Sequence, residues 1–207
     1  MDVFEAMTNM RAMRRLKPDA VPRDVLESIV HYAIHAPSGS NAQGWHFIVV
    51  TDAAKRAQLG EIYRKAVDFY LLRINTKPEP HQTEDEWRRM VAAVRWQGDH
   101  LGACPALVFA CLKGGGAADY SNALVAKSLT ASIYPAVQNL LLACRAHGLG
   151  ATLTTLHLMF EDEVKAILGM PASAGTFAMI PVGYPMGNFG PTKRQPLEDV
   201  LSWDSWE

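Results

Sequence analysis

The feature that most constrains the fold is a long amphipathic repeat between Lys127 and His147. Its apolar residues recur at intervals of three and four, the period of one helix face, and they are Leu129, Ile133, Val137, Leu140, Leu141 and Cys144. Gly148 follows directly, as is typical of a C-cap glycine. We therefore expect a long helix that forms the spine of the molecule.

Shorter helices and four strands are predicted around this spine. Helices are expected from Val3 to Met10, from Pro22 to just before Pro37, from Asp52 to about Asn75, from a capping box of Thr83 with Glu86, and from Glu161 to Leu168. Strands are expected at Phe47–Val50, which reads as buried, and at Leu107–Leu112, Ala151–Leu156 and Thr176–Val182. No strand-to-helix turn carries a glycine fingerprint, and Gly148-Leu149-Gly150 has the reverse order, which argues against a doubly wound parallel sheet.

A polar loop separates the second predicted helix from the first strand. Pro37 and Gly39 end the helix and allow close backbone approach, while Ser38, Ser40, Asn41 and Gln43 supply donors and acceptors, all within the stretch from Ala36 to Phe47. Such residues also make ordinary solvated turns. A loop of this composition can line a flat polar ligand.

Two basic clusters favour the interpretation of the polar loop as a ligand-binding loop over that of a solvated turn. Arg11-Ala12-Met13-Arg14-Arg15-Leu16-Lys17 follows the N-terminal helix, and Lys193-Arg194 lies in the Gly/Pro-rich stretch from Gly183 to Pro196. Guanidinium groups hold phosphate bidentately and stay charged. Each cluster alone is typical of a solvated face. Taken with the polar loop, they indicate a ligand with one terminal phosphate and one polar heterocycle.

The chain resembles the nitroreductase family of flavoproteins over nearly its whole length. The resemblance rests on four segments in the family's order: Arg11 to Leu16, Ala36 to Phe47, Tyr134-Pro135-Ala136-Val137-Gln138-Asn139-Leu140 with Gly148-Leu149-Gly150, and Lys193-Arg194-Gln195-Pro196. The family implies a single α+β domain over residues 1–207, with a mostly antiparallel central sheet flanked by helices, in an intertwined homodimer. A variable helical region is expected at about 55–100 and a C-terminal dimerisation tail at about 190–207.

The resemblance also implies a cofactor and its contacts. FMN would lie at each subunit interface, take hydride from NADH or NADPH, and pass electrons to a second substrate. The implied cofactor-binding residues are Arg11, Ala12, Met13, Arg14, Arg15, Pro37, Ser38, Gly39, Ser40, Asn41, Gln43, Thr154, Thr155, Leu156, Lys193 and Arg194. Many relatives carry a serine where this chain has Ala12, so a hydroxyl contact to phosphate is lost. Arg11 and Arg14 become the preferred phosphate ligands, with Arg15 third.

Composition agrees with this interpretation. A chain of 207 residues with 49% hydrophobic residues can bury one sizeable core. The net charge of −1 provides no field that would gather nucleic acid or anionic membrane. Cys104, Cys111 and Cys144 lack paired spacing, so we expect reduced core cysteines rather than disulfides or a zinc site. With no signal peptide or membrane span evident, a cytoplasmic protein is expected.

Other candidate sites are weaker. His31 and His35 have metal-ligand spacing but lack the intervening glutamate of a zinc protease helix, so a helix-surface pair is favoured. Gly114-Gly115-Gly116 lacks the lysine of a phosphate loop and reads as a surface turn, and Ser38-Gly39-Ser40 does not match a nucleophile elbow. No metal site and no catalytic side chain is predicted.

Three sets of residues allow two interpretations each. Thr152, Thr154, Thr155 and His157 form either an ordinary strand or, by the resemblance, a segment beside the flavin ring. Gln138 and Asn139 are expected to make structural hydrogen bonds in the core rather than ligand contacts. The aromatic residues of the variable region are expected in core or dimer packing, with some covering the flavin: Tyr63, Phe69, Tyr70, Trp87 and Trp96.

The predicted function is an FMN-dependent, nicotinamide-using reductase of nitroaromatics, quinones or related flat acceptors, working by a two-step exchange. The cofactor would carry the redox chemistry, so no side-chain nucleophile is needed. One alternative is a specialised flavin reaction, such as dehalogenation or dehydrogenation. The other is a flavin-sequestering or regulatory protein with a blocked ring face.

Overall fold

Six helices and four strands are present in a computed structural model that describes residues 1–73, 78–114 and 123–206. The helices are α1 (Val3–Asn9), α2 (Arg23–Ala33), α3 (Ala53–Arg73), α4 (Glu84–His100), α5 (Ala123–Ala146) and α6 (Glu161–Leu168). The strands are β1 (Trp45–Val50), β2 (Ala106–Leu112), β3 (Gly150–Ala151) and β4 (Gly175–Gly183).

The four strands form one antiparallel sheet in the order β1-β2-β4-β3. Successive side chains of β2 point to opposite faces: Val108 and Ala110 join the core beneath α2 and α5, whereas Leu107 and Phe109 join the core with α3 and α4. Both β2 and β4 are therefore buried on two sides, between two layers of helices. The predicted α+β class with an antiparallel sheet is confirmed.

The strand predicted at Phe47–Val50 begins two residues earlier, and it is not fully buried. Val49 is exposed, and Phe47 and Ile48 are half-buried. The reason is the position of β1 at the edge of the sheet, where β2 is its one partner strand among the described residues. A short run of apolar residues cannot distinguish an edge strand from a central one.

The strand predicted at Ala151–Leu156 is wrong in its length. β3 contains only two residues, Thr154 makes an isolated bridge with Met179, and a turn of 3-10 helix covers Leu156–Phe160. β-branched residues favour extended backbone, but continuous pairing along a sheet edge depends on the neighbouring strand and its twist. The chain from 151 to 156 thus runs beside β4 but pairs with it only at β3 and at Thr154.

Local capping signals were predicted correctly. The backbone N–H of Lys55 donates to Asp52 Oδ1 at 2.8 Å before α3, and Thr83 and Glu86 form the expected capping box of α4. Gly148 has a φ of 72° after α5, a conformation that favours glycine. Some predictions lie outside the described residues. They concern the end of α3 at Asn75, the position Lys77, the glycines Gly115 and Gly116, and the side chain of Leu129.

The predicted core role of Gln138 is wrong, since its side chain is exposed, and Asn139 is only half-buried. The residues occupy the outer side of α5, because the apolar stripe of that helix is complete without them.

The three cysteines are free and buried as predicted. His31 and His35 form an exposed pair with their Nε2 atoms 3.4 Å apart. Within the described ranges, no helix combines the length and apolar character that a membrane span requires.

Candidate functional site

The arginine segment after α1 runs beside the end of the sheet. The backbone N–H of Met13 donates to the carbonyl of Ala151 at 3.0 Å, and the carbonyl of Arg15 accepts from the N–H of Met186 at 3.0 Å. Met13 and Leu16 are buried, which anchors the segment, whereas Arg11 and Arg15 are exposed. Backbone pairing therefore presents two guanidinium groups outward from one short stretch.

The fourth residue of this segment, Arg14, points into a cavity of about 210 Å³. Helices α3 and α4 form one wall, and the chain after β3 forms the other. The lining residues are Arg14, Tyr63, Tyr70, Val94, Gln97, Thr152, Leu153, Thr154, Thr155 and Leu156. The cavity thus joins the arginine segment, the variable helices and the predicted ring-edge residues.

The polar groups of the cavity are affected by burial. Burial is the main cause that lowers the pKa of Arg14, with Tyr63 and Tyr70 opposing the shift. Burial also raises the pKa of Tyr63, against a hydrogen bond with Thr154 and the charge of Arg14. The hydroxyls of Tyr63 and Thr154 are 3.1 Å apart. At neutral pH, Arg14 is a cation and Tyr63 a neutral hydroxyl.

Two further polar groups of the lining have no hydrogen-bond partner in the described structure. They are the side-chain amide nitrogen of Gln97, a residue only 3% exposed, and the hydroxyl of Thr152, at 2%. Buried polar groups are almost always paired, so each unpaired one calls for an explanation. A polar ligand in the cavity would satisfy both.

The three residues predicted at the edge of the flavin ring, 154–156, differ in whether their donor groups are already used within the chain. The backbone N–H of Thr154 donates to the Met179 carbonyl at 3.0 Å, and the Leu156 N–H approaches the Thr154 hydroxyl at 3.4 Å. Thr155 is exposed at the mouth of the cavity. Its N–H and hydroxyl are therefore the best placed donors of the three residues.

The polar loop at 37–43 has an unusual backbone. Ser40, Asn41 and Gln43 have φ values of 53°, 52° and 47°, left-handed angles that are uncommon outside glycine. The hydroxyl of Ser38 accepts from the Gln43 N–H at 2.9 Å, and the Gly39 N–H donates to the Ser132 hydroxyl of α5 at 3.1 Å. Backbone outliers of this kind cluster at ligand clamps.

The second basic cluster is engaged within the chain. The ammonium of Lys193 forms an ion pair with Glu86 at the N-terminus of α4, and the guanidinium of Arg194 donates to the Lys193 carbonyl at 2.7 Å. Lys193 is the main cause that lowers the pKa of Glu86 to about 2. Both basic side chains are exposed.

The structure brings together only part of the predicted site. Arg14 and the residues 154–156 share the cavity, but none of the residues 37–43 lines it, and neither does Lys193 or Arg194. Sequence reasoning missed Gln97 and Val94 and did not commit to Thr152. Gln97 could have been found as a polar residue on the otherwise buried face of α4, next to Val94 and Gly98.

Comparison with known protein families finds a match to the nitroreductase family model over residues 8–184. Among curated proteins, the chain is 30% identical to an NADH dehydrogenase of Thermus thermophilus, over 98% of this chain and 96% of that protein. It is 25% identical to human iodotyrosine deiodinase 1, over 97% of this chain and 68% of that protein. The chain thus spans about two thirds of the length of the deiodinase.

Solved structures show the same fold. Oxidised iodotyrosine deiodinase bound to FMN and 3-iodo-L-tyrosine has a TM-score of 0.76 at 20% identity, covering 99% of this chain and 100% of that one. A variant of the FMN and NADPH-dependent nitroreductase NfnB, from sphigopyxis sp. strain HMH, has a TM-score of 0.70 at 20% identity, and each chain is covered completely.

Proposed function

The chain belongs to the nitroreductase family, and from that premise we propose that it is an FMN-dependent oxidoreductase. It takes hydride from NADH or NADPH and reduces nitroaromatic, quinone or related flat acceptors by a two-step exchange. Support comes from two proteins of the same fold, a deiodinase bound to FMN and a nitroreductase described as FMN- and NADPH-dependent. The relative described as an NADH dehydrogenase agrees with a nicotinamide reductant.

The observation that carries this proposal is that the cationic segment pairs with the chain at β3 and directs Arg14 into the cavity that residues 152–156 also line. Arg11 and Arg15, both exposed, are the proposed phosphate ligands, with Lys193 and Arg194 as a second source of positive charge. Charged hydrogen bonds from guanidinium to phosphate are among the strongest that proteins make. Arg14 is directed into the cavity instead, so we rank Arg15 above it for phosphate.

FMN would supply the acceptance and donation of hydride. The protein would bind and orient the ring, with the N–H and hydroxyl of Thr155 donating to its edge. The amide of Thr154 cannot do so without losing its bond to Met179. The unpaired Gln97 and Thr152 groups support the proposal that a polar ligand lies in the cavity beside that edge.

The polar loop implies a second subunit. It carries three left-handed residues and is exposed, yet it lies outside the cavity of its own chain. We propose that it reaches the flavin of a partner copy in a homodimer. Exposed apolar side chains at both ends of the chain would pack in that interface, among them Phe4, Met7, Trp203 and Trp206.

Reductive dehalogenation is a second candidate. It is favoured by the 25% identity to deiodinases over nearly the whole chain, and by the likeness to the structure with bound 3-iodo-L-tyrosine. Dehydrogenation and flavin storage are further alternatives. In each of these, FMN would occupy the same site.

The test begins with mass spectrometry of the cofactor released from purified protein. We expect FMN, because no adenosine-binding fingerprint is present. Under anaerobic conditions, NADH or NADPH should bleach the flavin, and menadione or 4-nitrobenzamide should restore its colour. FAD, or no flavin after reconstitution, would contradict the cofactor assignment.

Other outcomes separate the alternatives. A flavin that neither NADH nor NADPH reduces, but that dithionite bleaches and 3-iodotyrosine reoxidises, would identify a dehalogenase. If none of these acceptors reoxidises the reduced flavin under anaerobic conditions, the protein would be identified as a flavin-storage protein.

A further inference from the structure

Two histidine side chains meet at the C-terminal end of α2. His31 lies in the last turn of the helix, and His35 lies one turn further along the chain, just after the C-cap residue Ile34. Their Nε2 atoms are 3.4 Å apart, and both residues are exposed. Side chains four residues apart lie on the same face of a helix. The pair therefore presents two imidazole nitrogens side by side to solvent.

The backbone keeps His35 beside His31 beyond the end of the helix. The N–H of His35 donates to the carbonyl of Tyr32 at 3.3 Å. The N–H of the buried Ala36 likewise donates to the carbonyl of the buried Ala33, at 3.2 Å. Hydrogen bonds from residue i to residue i−3 extend a helix end by one tight turn. The position of His35 is thus held by backbone that is anchored in the core.

The separation of the two nitrogens agrees with the geometry of a metal chelate. Zn²⁺ binds imidazole nitrogen at about 2.0–2.1 Å with tetrahedral angles, which places two coordinated nitrogens roughly 3.3–3.4 Å apart. The Nε2 atoms of His31 and His35 have this separation, at 3.4 Å. Histidines at positions i and i+4 of one helix face also have the spacing by which helices bind zinc. Since both side chains are exposed, their rings can turn toward one ion without disturbing the core.

The end of α2 also favours a cation for a separate reason. The peptide dipoles of a helix leave partial negative charge at its C-terminus, where positive charge is stabilised. α2 contains 11 residues, and the two histidines lie on either side of its C-cap. A bound metal ion would therefore interact favourably with the helix as well as with the two rings.

The candidate site has two protein ligands. Among the residues that the structure describes, no group of three or more histidine, cysteine or acidic side chains could hold a metal ion. Glu27 lies one turn before His31, but its carboxylate accepts from Arg23 Nε at 2.8 Å. Water would complete the coordination, as at open zinc sites. Imidazole ligands suit Zn²⁺, Cu²⁺ and Ni²⁺ rather than Mg²⁺ or Ca²⁺.

We propose that His31 and His35 form a surface site for a zinc-like divalent ion at the end of α2. The ion links the last turn of the helix to the chain that leads into the polar loop at 37–43, and so fixes the helix end. The site is separate from the cavity at Arg14, because neither histidine lines that cavity. The proposal goes beyond the proposed function and does not depend on a bound flavin.

The test titrates zinc chloride into purified, tag-free protein by isothermal calorimetry. We expect one zinc ion to bind per chain, and magnesium chloride to give no binding. Thermal unfolding should show stabilisation by zinc, because an ion that binds the folded state stabilises it. His31→Gln and His35→Gln should each weaken zinc binding by at least about tenfold, because each removes one of two ligands that the helix holds together.

Two further variants serve as controls. His46→Gln removes an exposed histidine of β1 and should retain the wild-type affinity for zinc. His35→Cys replaces one imidazole with a different zinc ligand and should restore the binding that His35→Gln loses. Dependence on both histidines would support the site whether or not the protein carries flavin or reduces acceptors.

Three results would overturn the proposal. One is the absence of zinc binding by the wild-type protein. Another is wild-type affinity in both glutamine variants, which would show that zinc binds elsewhere and that the histidines form an ordinary hydrogen-bonded pair. The third is loss of binding in only one of the two variants, since two imidazoles that chelate one ion must both be needed.

Discussion

His157 is a buried histidine whose two ring nitrogens have no hydrogen-bond partner in the described structure. It is 1% exposed and packs edge-on against Phe109, with ring centroids 5.7 Å apart. Burial lowers its pKa from 6.5 to about 4. The neutral ring is therefore the native form, and protonation favours the unfolded chain.

This burial predicts a pH-dependent loss of stability. Between pH 6.5 and about 4 the unfolded state binds a proton that the folded state excludes, so the free energy of unfolding decreases as the pH falls. The contribution is fully present above pH 6.5 and amounts to about 3 kcal/mol, at 1.36 kcal/mol per pKa unit. His157→Leu should remove it.

Urea unfolding of both proteins at pH 7.0 and pH 4.5, at one protein concentration, measures this effect. The carboxylates common to both proteins cancel in the difference. Wild-type protein should lose more stability than the variant over this interval. Parallel losses would show that His157 is not kept neutral by the fold.

At the scale of elements, α3 packs unusually closely on the turn Leu101–Ala103. A Cβ atom on Gly60 would lie 2.8 Å from the backbone nitrogen of Gly102 and 3.0 Å from its Cα atom. A Cβ on Gly98 of α4 would instead meet the side chain of Val67, at 3.1 Å. The first contact is with backbone and falls to 2.8 Å, whereas the second is with a side chain and would need a shift of only a few tenths of an ångström.

Gly60→Ala should therefore destabilise the protein although alanine is the better helix former. We expect a loss of about 1–3 kcal/mol, the usual cost of overpacking. Gly98→Ala is the matched control and should cost less, because its closest contact is longer and is with a side chain rather than with backbone, and helix propensity favours alanine by about 1 kcal/mol. Denaturant unfolding compares the two, and equal or reversed losses would disprove the close approach of α3 to this turn.

At the scale of the whole molecule, the C-terminal segment exposes large apolar side chains that a partner could cover. Trp203 is 80% exposed and Trp206 is 100% exposed, and Val200 and Leu197 are exposed as well. Solitary exposed apolar residues are ordinary, but a cluster of large ones is typical of an interface. The segment does not bury these side chains on its own subunit.

Truncation after Pro196 should convert the proposed homodimer to a monomer or an aggregate, with loss of bound flavin. Replacing both Trp203 and Trp206 by serine, with the chain length kept, should have the same effect if apolar burial is the cause. Light scattering and the flavin-to-protein absorbance ratio measure both properties. A truncated protein that stays dimeric and yellow would show that the tail neither bridges the subunits nor supports the site.

Much of the fold could be predicted because its signals are local. The capping box at Thr83, the C-cap at Gly148 and the bounds of α6 depend on residues within a few positions of each other. The arginine segment and the polar loop were proposed as parts of the site in the same way, from contiguous residues, and those assignments stay predictions. The assignment of roles within those segments was not, since Arg14 and Arg15 differ only in where they point.

The amino-acid sequence by itself determined the family and the periodicity that forms α5, and the antiparallel α+β class followed from the resemblance to that family. Motif order and helical spacing are properties that the chain carries before it folds. Tertiary structure alone decided that β1 is an edge strand, that β3 stops after two residues, and that Arg14 meets Gln97 in a cavity. Strand order, burial and contacts between residues distant in sequence exist only once the helices pack on the sheet.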